Sequence, residues 1–216
     1  MEINQLPEAI IANNTDWLII QTTGGITQKI SRANFLAGIS SSIPQNTNKE
    51  LIYSSDGDTN GLFYWLGTNK GTTSFSNPHP SKITLKAGNP IADLSLLADR
   101  QAAGNFYTDN VPNTWIGFQL NSGSFKCNKY SIRAREYDSS LLRSWKFQAK
   151  DVDGNWIDLD VQNNNQSVTQ ASQWLTLPAS STDFYSDFRI QTTGANSTGT
   201  YHITAGELEF YGEYKE

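Results

Sequence analysis

Hydrophobic and polar positions alternate most cleanly in the last third of the chain. Trp145, Phe147 and Ala149 interleave with Lys146, Gln148 and Lys150, and a period of two places the apolar trio on one face of a strand and the polar trio on the other. Asp153-Gly154-Asn155 follows, a run suited to a hairpin because Gly takes positive φ freely and Asp and Asn side chains bond back to their own backbone. Phe188-Arg189-Ile190 and Glu207-Leu208-Glu209-Phe210 repeat the alternation. The pattern predicts a half-buried antiparallel sheet.

The front of the chain reads differently. Asp16 to Gln21 forms an apolar strand, Thr22 to Gly25 a turn and Ile26 to Ile30 a return strand, after which Ser31 can cap a helix from Arg32 to Ala37 closed by Gly38. One hairpin with a helical turn cannot bury enough apolar surface to stand alone. Residues 1–43 are therefore expected to pack against copies of themselves or against another protein. Residues 44–50, rich in Asn and Thr with Pro44, read as a connector, and 51–216 as a second, larger β domain. No sustained heptad marks a coiled-coil shaft.

Charged residues make up only 17% of the 216 positions, so the surface is polar mainly through hydroxyl and amide groups, as suits extracellular or virion proteins. Ten Phe, nine Tyr and six Trp supply the core volume, and a few buried tryptophans are expected to anchor it, since a buried ring removes roughly 150–250 Å² from water. A net charge of −5 argues against a nucleic-acid partner, which needs a basic surface. Cys127 is the sole cysteine, which excludes an intrachain disulfide and a Cys-based metal cluster and fits a small buried hydrophobe. The absence of a disulfide suits a chain folded in a reducing cytoplasm before release by lysis. The first residues lack a basic start and an apolar run of signal-peptide length, and nothing approaches a membrane span; if the protein acts outside a cell, a route other than the general secretory pathway is the expectation.

Two resemblances rest on these segments. From Leu51 to Gly212, Asn60-Gly61-Leu62-Phe63-Tyr64-Trp65, Asn105-Phe106-Tyr107-Thr108, Thr114-Trp115-Ile116-Gly117-Phe118, Leu142-Arg143-Ser144-Trp145, Thr193-Gly194-Ala195-Asn196 and Glu207-Leu208-Glu209-Phe210-Tyr211-Gly212 resemble, in order, the discoidin-type domain of the galactose-binding-like group, in a branch seen in multidomain intracellular and protist proteins. That resemblance implies a jelly-roll β-sandwich which binds glycans, lipids or proteins through loops at one end. The front segment, with Leu6-Pro7, Asp16-Trp17-Leu18-Ile19-Ile20, Gly24-Gly25-Ile26, Lys29-Ile30 and Phe35-Leu36-Ala37, looks like the leader of many bacteriophage fibre and virion-surface proteins. It implies anchoring and homo-oligomerisation, as a trimer, through Leu6, Trp17, Leu18, Ile20, Ile26, Ile30, Phe35 and Leu36. The combined expectation is a mainly β phage protein, a short tail fibre or receptor-binding protein, with other virion proteins and a host-surface glycan as partners. A purely structural capsid or baseplate role and a cellular lectin-like adhesin stand beside it.

Catalytic chemistry is sparse. His79 and His202 lie far apart in sequence, and no nucleophile elbow, phosphate loop or zinc-binding helix occurs, so no enzyme is expected. Asp56-Gly57-Asp58-Thr59-Asn60-Gly61 alternates oxygens like a calcium loop, but the Glu that an EF-hand needs is Gly67; a solvated turn is the expectation, with structural calcium as the alternative and no cofactor otherwise. His202 is expected to point outward between inward Tyr201 and Ile203. The resemblance places recognition loops at Ala87 to Arg100, Phe106 to Asn113 and Arg135 to Arg143. Leu94, Leu96 and Leu97 have helical spacing, which favours packing on the sandwich over membrane insertion. A sugar site needs paired polar groups and an aromatic ring for the pyranose face; Arg100, Tyr107, Asp109, Asn110, Arg135, Tyr137, Asp138 and Arg143 are the candidates.

Overall fold

A computed structural model describes residues 17–21, 27–35, 48–101, 103–137 and 139–216, with 17–21 and 27–29 described by backbone. The chain divides into two compact units, Met1–Asn46 and Thr47–Glu216. In the first, β1 (Trp17–Gln21) and β2 (Thr27–Ser31) pair antiparallel, Trp17 opposite Ser31 and Gln21 opposite Thr27. Residues 32–35 are helical, and Ser31 Oγ accepts the Asn34 N–H at 3.2 Å, satisfying a donor that a helix start leaves without a carbonyl. Trp17, Leu18 and Ile20 sit on β1, Ile30 is half-buried and Phe35 exposed; Leu6, Ile26 and Leu36 lie outside the described residues.

The second unit runs β3 (Lys49–Leu51), α1 (Leu62–Gly67), β4 (Ile83–Ala87), a 3-10 turn (Leu94–Leu97), β5 (Phe106–Tyr107), β6 (Trp115–Leu120), β7 (Ser124–Arg133), β8 (Trp145–Lys150), β9 (Trp156–Gln162), β10 (Trp174–Pro178), β11 (Asp187–Thr192), β12 (Thr204–Ala205) and β13 (Glu207–Lys215). One sheet has the order β10-β7-β13-β3 and the other β4-β6-β11-β8-β9, with β5 and β12 paired apart; every pairing is antiparallel. This is a discoidin-type jelly-roll β-sandwich. The connector expected over 44–50 is shorter than predicted, because β3 takes Lys49 and Glu50 opposite Tyr214 and Glu213. Two charged residues at an edge carry no alternation that a sequence reading could catch.

The core is built on phenylalanine rather than on the tryptophans the composition pointed to. Phe118 is central, its ring 5.0 Å from Phe63, 5.1 Å from Phe188 and 4.6 Å from Phe210. Trp145 alone among the second unit's tryptophans is fully enclosed, and its Nε1–H donates to Tyr130 Oη, which donates in turn to Asp160 Oδ2 at 2.6 Å; buried polar tips need such partners. Trp145, Phe147 and Ala149 share the buried face as their spacing predicts. Cys127 is enclosed, as expected of a small hydrophobe, and burial pushes its thiol pKa far up.

Two long-range devices close the sandwich. Glu209, fully buried on β13, accepts the N–H groups of Phe63 and Tyr64 at 2.7 and 3.1 Å, supplying from 146 residues away the cap that α1 lacks locally. On the same strand the register with β7 shifts at Tyr211/Gly212. Gly212 has φ of +148°, and a Cβ there would collide with the Lys126 carbonyl, so this bulge requires glycine.

Candidate functional site

The strand ends align the loops. Ala87, Trp115, Thr192, Trp145 and Gln162 lie within a residue of level across the five-stranded sheet, and Arg133 faces Glu207 and Trp174 in the other. The connections 88–114, 134–144, 163–173 and 193–206 therefore leave from one end, and the three stretches implicated by the discoidin resemblance are among them. Hydrogen bonds stitch these loops to each other. Ile91 N–H reaches Tyr107 O (3.1 Å), Asp109 N–H reaches Asn89 O (2.8 Å), and Ser197 N–H reaches Leu141 O (2.9 Å). Tyr201 N–H donates to Asn110 Oδ1 at 2.7 Å.

Asn196 organises the loop beside them. Its Oδ1 accepts the N–H groups of Thr198 and Thr200, and its Nδ2 donates to Thr200 Oγ1 and the His202 carbonyl. The side chain is 7% exposed, so these bonds form in a poorly solvated site where leaving a donor or acceptor unmade is costly. The loop that carries Tyr201 and His202 is thereby preorganised. His202 Nδ1 lies 2.8 Å from the Thr108 carbonyl, and Ile203 N–H donates to Thr108 Oγ1. The expected alternation is corrected here: Tyr201 is exposed, His202 half-buried and Ile203 enclosed.

The predicted site residues divide. Asn110 bonds Tyr201 on this end and Tyr107 pairs with Thr204 further along the same loop, with Asp109 and Asn110 both exposed. Tyr137 is 52% exposed, and the Arg135 guanidinium lies 5.6 Å from its ring while donating to Ser139 O and Oγ. The Glu136 N–H bonds Gly104 O, which places this pair beside the β5 loop. Asp138 lies outside the described residues. Arg100 is engaged within the fold through most of its guanidinium, and Arg143 is tied to the neighbouring loop through one of its nitrogens. Arg143 Nη1 donates to the Asn165 and Val168 carbonyls, pinning a loop. Arg100 Nη2 donates to the Gly57 and Asp58 carbonyls, and the same guanidinium lies 3.7 Å from Glu207 and 3.4 Å from Glu209.

That carboxylate pair is buried beside one guanidinium. Burial pushes Glu207 up to about 7 against the pull of Arg100 and Arg133. Burial likewise pushes Glu209 up to about 7 against the N–H groups of Phe63 and Phe210 and the Arg100 charge. Nearby, the Asp58 carboxylate and the Gly57 and Asp58 carbonyls of the 56–61 turn are engaged by protein donors and do not form a free ligand set for a calcium ion. Asp58 is partly buried, which raises its pKa, but N–H donors from Ser54, Asn60 and Ser55 outweigh that and hold its carboxyl below the usual range; the Gly57 and Asp58 carbonyls face Arg100. Among the described residues no group of three or more His, Cys, Asp or Glu side chains is placed to hold a metal.

Comparison with known proteins agrees with this architecture. No family model matches the chain. A BTB/POZ domain-containing protein of Arabidopsis thaliana is 27% identical over 182 residues, covering 77% of this chain and 22% of that protein. The E3 ubiquitin-protein ligase hecd-1 of Caenorhabditis elegans is 30% identical over 178 residues, 76% of this chain and 6% of the ligase. The chain thus spans about a fifth or less of these relatives. Among solved structures, CBM32-3 from a family 31 glycoside hydrolase of Clostridium perfringens superposes with a TM-score of 0.52 at 14% identity, over 74% of this chain and 99% of that one. The sandwich has the discoidin-like fold.

Sequence reading missed Asn196 as the organiser of the site and misplaced His202. Thr193-Gly194-Ala195-Asn196 entered the reading as a motif of the discoidin resemblance, but nothing local assigns Asn196 its role, and its partners become visible only when the loop closes.

Proposed function

We propose that the sandwich is a non-catalytic recognition module that binds a carbohydrate through this loop end. The observation that carries the reading is the presentation of two exposed tyrosine rings from this loop end, Tyr201 bonded to Asn110 next to the exposed Asp109 and Tyr137 on the neighbouring 134–144 loop. A pyranose presents an apolar face and a rim of hydroxyls, and rings flanked by carboxylate and carboxamide oxygens match both. Fixing the loops before binding lowers the ordering cost that weak ligands cannot offset. The likeness to the carbohydrate-binding module CBM32-3 supports the scaffold for this use. The test is a glycan array probed with the full chain: binding lost in the Tyr137→Ala/Tyr201→Ala double variant, with the melting temperature retained, supports the reading, and a silent array for the wild type overturns it.

The wider setting is proposed with it. The front unit, a hairpin leading into a Ser31-capped helical turn, fits the leader of phage fibre proteins that its sequence resembles, and would hold several copies of the sandwich on a virion facing the host. A second reading, recognition of protein rather than sugar, is favoured by the relatives, in which the similar stretch is a small part of a BTB/POZ protein and of E3 ubiquitin-protein ligases. It predicts a silent array together with Tyr201-dependent binding to a protein of the same particle.

A further inference from the structure

The loop end holds one ring whose protonation pattern is dictated by its neighbours. A backbone carbonyl can only accept, so the 2.8 Å contact between His202 Nδ1 and Thr108 O places the proton on Nδ1. In the neutral ring, Nε2 is then a lone-pair acceptor. The Thr108 side is itself immobile: Thr108 is fully buried, its N–H bonds Ile203 O, and its hydroxyl receives Ile203 N–H. The other side is held by Asn196, which donates to the His202 carbonyl at 3.1 Å. Nε2 makes no hydrogen bond to the described residues. The buried polar atoms without a partner among those residues are Asn105 Oδ1, Arg133 Nε and Glu207 Oε1, so Nε2, on a half-buried ring, is not sealed from solvent.

We infer that His202 Nε2 is a ligand acceptor of the proposed glycan site, and that the site selects neutral, hydroxyl-rich sugars over acidic ones. The inference rests on the carbohydrate reading above. Its neighbours on this end point the same way. Asp109 offers an exposed carboxylate, and the Asn110 carboxamide oxygen is already committed to Tyr201 N–H. The arginines near the face make bonds inside the fold: Arg100 and Arg143 bond backbone carbonyls, and Arg135 bonds Ser139. Acceptors such as Nε2 and the Asp109 carboxylate favour a ligand that donates, as hydroxyls do. A sugar carboxylate would instead face Asp109 and a lone pair, and like-charge juxtaposition is a strong means of rejection.

Two substitutions separate the ring's two nitrogens. In His202→Asn, the carboxamide N–H can replace Nδ1–H toward Thr108 O while nothing stands in for Nε2. In His202→Gln, the longer carboxamide oxygen can reach the position of Nε2. The expected result, on any neutral glycan that the wild-type chain captures on an array, is a loss of about tenfold in affinity for His202→Asn, the effect of deleting one hydrogen bond to a ligand. His202→Gln should recover most of it, and wild-type binding to matched uronic-acid or sialylated glycans should be weaker than to their neutral counterparts. Undiminished binding by His202→Asn overturns the inference while leaving the carbohydrate reading in place; a wild-type array without signal removes that reading first. Because either variant could disturb the loop, nitrogen-15 spectra of wild-type imidazole provide a check free of substitution. At constant pH the Nε2 resonance of His202 is expected to move on adding the neutral sugar, and an unmoved resonance at saturation also overturns the proposal.

Discussion

Glu207 and Glu209 show how single side chains set the conditions under which this fold is most stable. Both are raised to about 7 by burial, above the ordinary carboxylate value near 4.5 that they regain on unfolding. Between those limits these two groups bind more protons in the folded chain than in the unfolded one, so the stability they contribute is fully present below about 4.5 and is lost as pH rises through 7. A shift of this size corresponds to at most about 3 kcal/mol per group. Melting temperature is therefore expected to fall by several degrees between pH 5 and pH 8. Glu207→Gln, which keeps the shape and removes the charge from an oxygen that has no hydrogen bond, should reduce that slope by about half. Asp58, Asp93 and Asp158 are shifted down, and their contribution is lost only at lower pH, so they leave this window untouched. A melting temperature independent of pH from 5 to 8 in the wild type would contradict the assignment. Gly212 makes the complementary point about backbone: Gly212→Ala must either flatten the bulge or displace Lys126, and a loss of more than about 2 kcal/mol in urea unfolding is expected.

At the scale of elements, what could be read in sequence and what could not divides by range. The strand at Trp145–Lys150, the Asp-Gly-Asn hairpin after it and the Ser31 cap were legible because each depends on residues within about five positions of one another. The Asp153-Gly154-Asn155 turn even shows the expected chemistry, with Asp151 Oδ1 accepting the N–H groups of Asp153 and Asn155. By contrast α1 carries no cap of its own and depends on Glu209, and Arg100 looked like a surface loop residue until β13 brought two carboxylates to it. The loop 196–202 belongs to this second class, since Asn196 acts only in the closed loop. Asn196→Ala removes several bonds from one place without touching either sheet. Amide exchange of residues 197–203 is expected to accelerate by at least tenfold, with a loss of global stability of about 1–2 kcal/mol. If exchange stays slow, the loop is held by something other than that side chain.

For the whole molecule, the proposed function turns on how weak sites are multiplied. A shallow loop-end site for one sugar is worth about 4 kcal/mol if its dissociation constant is near 1 mM, too little to hold a particle to a surface. Linking copies through the front unit would change this, because a second contact made by a tethered module occurs at high effective concentration and can raise avidity by a factor of about 10² or more. The requirement falls on the first 46 residues, whose hairpin and helical turn are too small to bury a core alone. Static light scattering of the full chain at micromolar concentration is expected to give a mass near three times 24.0 kDa, and surface binding to an immobilised neutral glycan should be at least a hundredfold tighter than solution binding to the free sugar. A monomeric mass, or equal affinities in the two formats, would remove the anchoring role from the front unit. Loss of sugar binding would then be the separate matter of the loop end, which the Tyr137 and Tyr201 variants address without altering assembly.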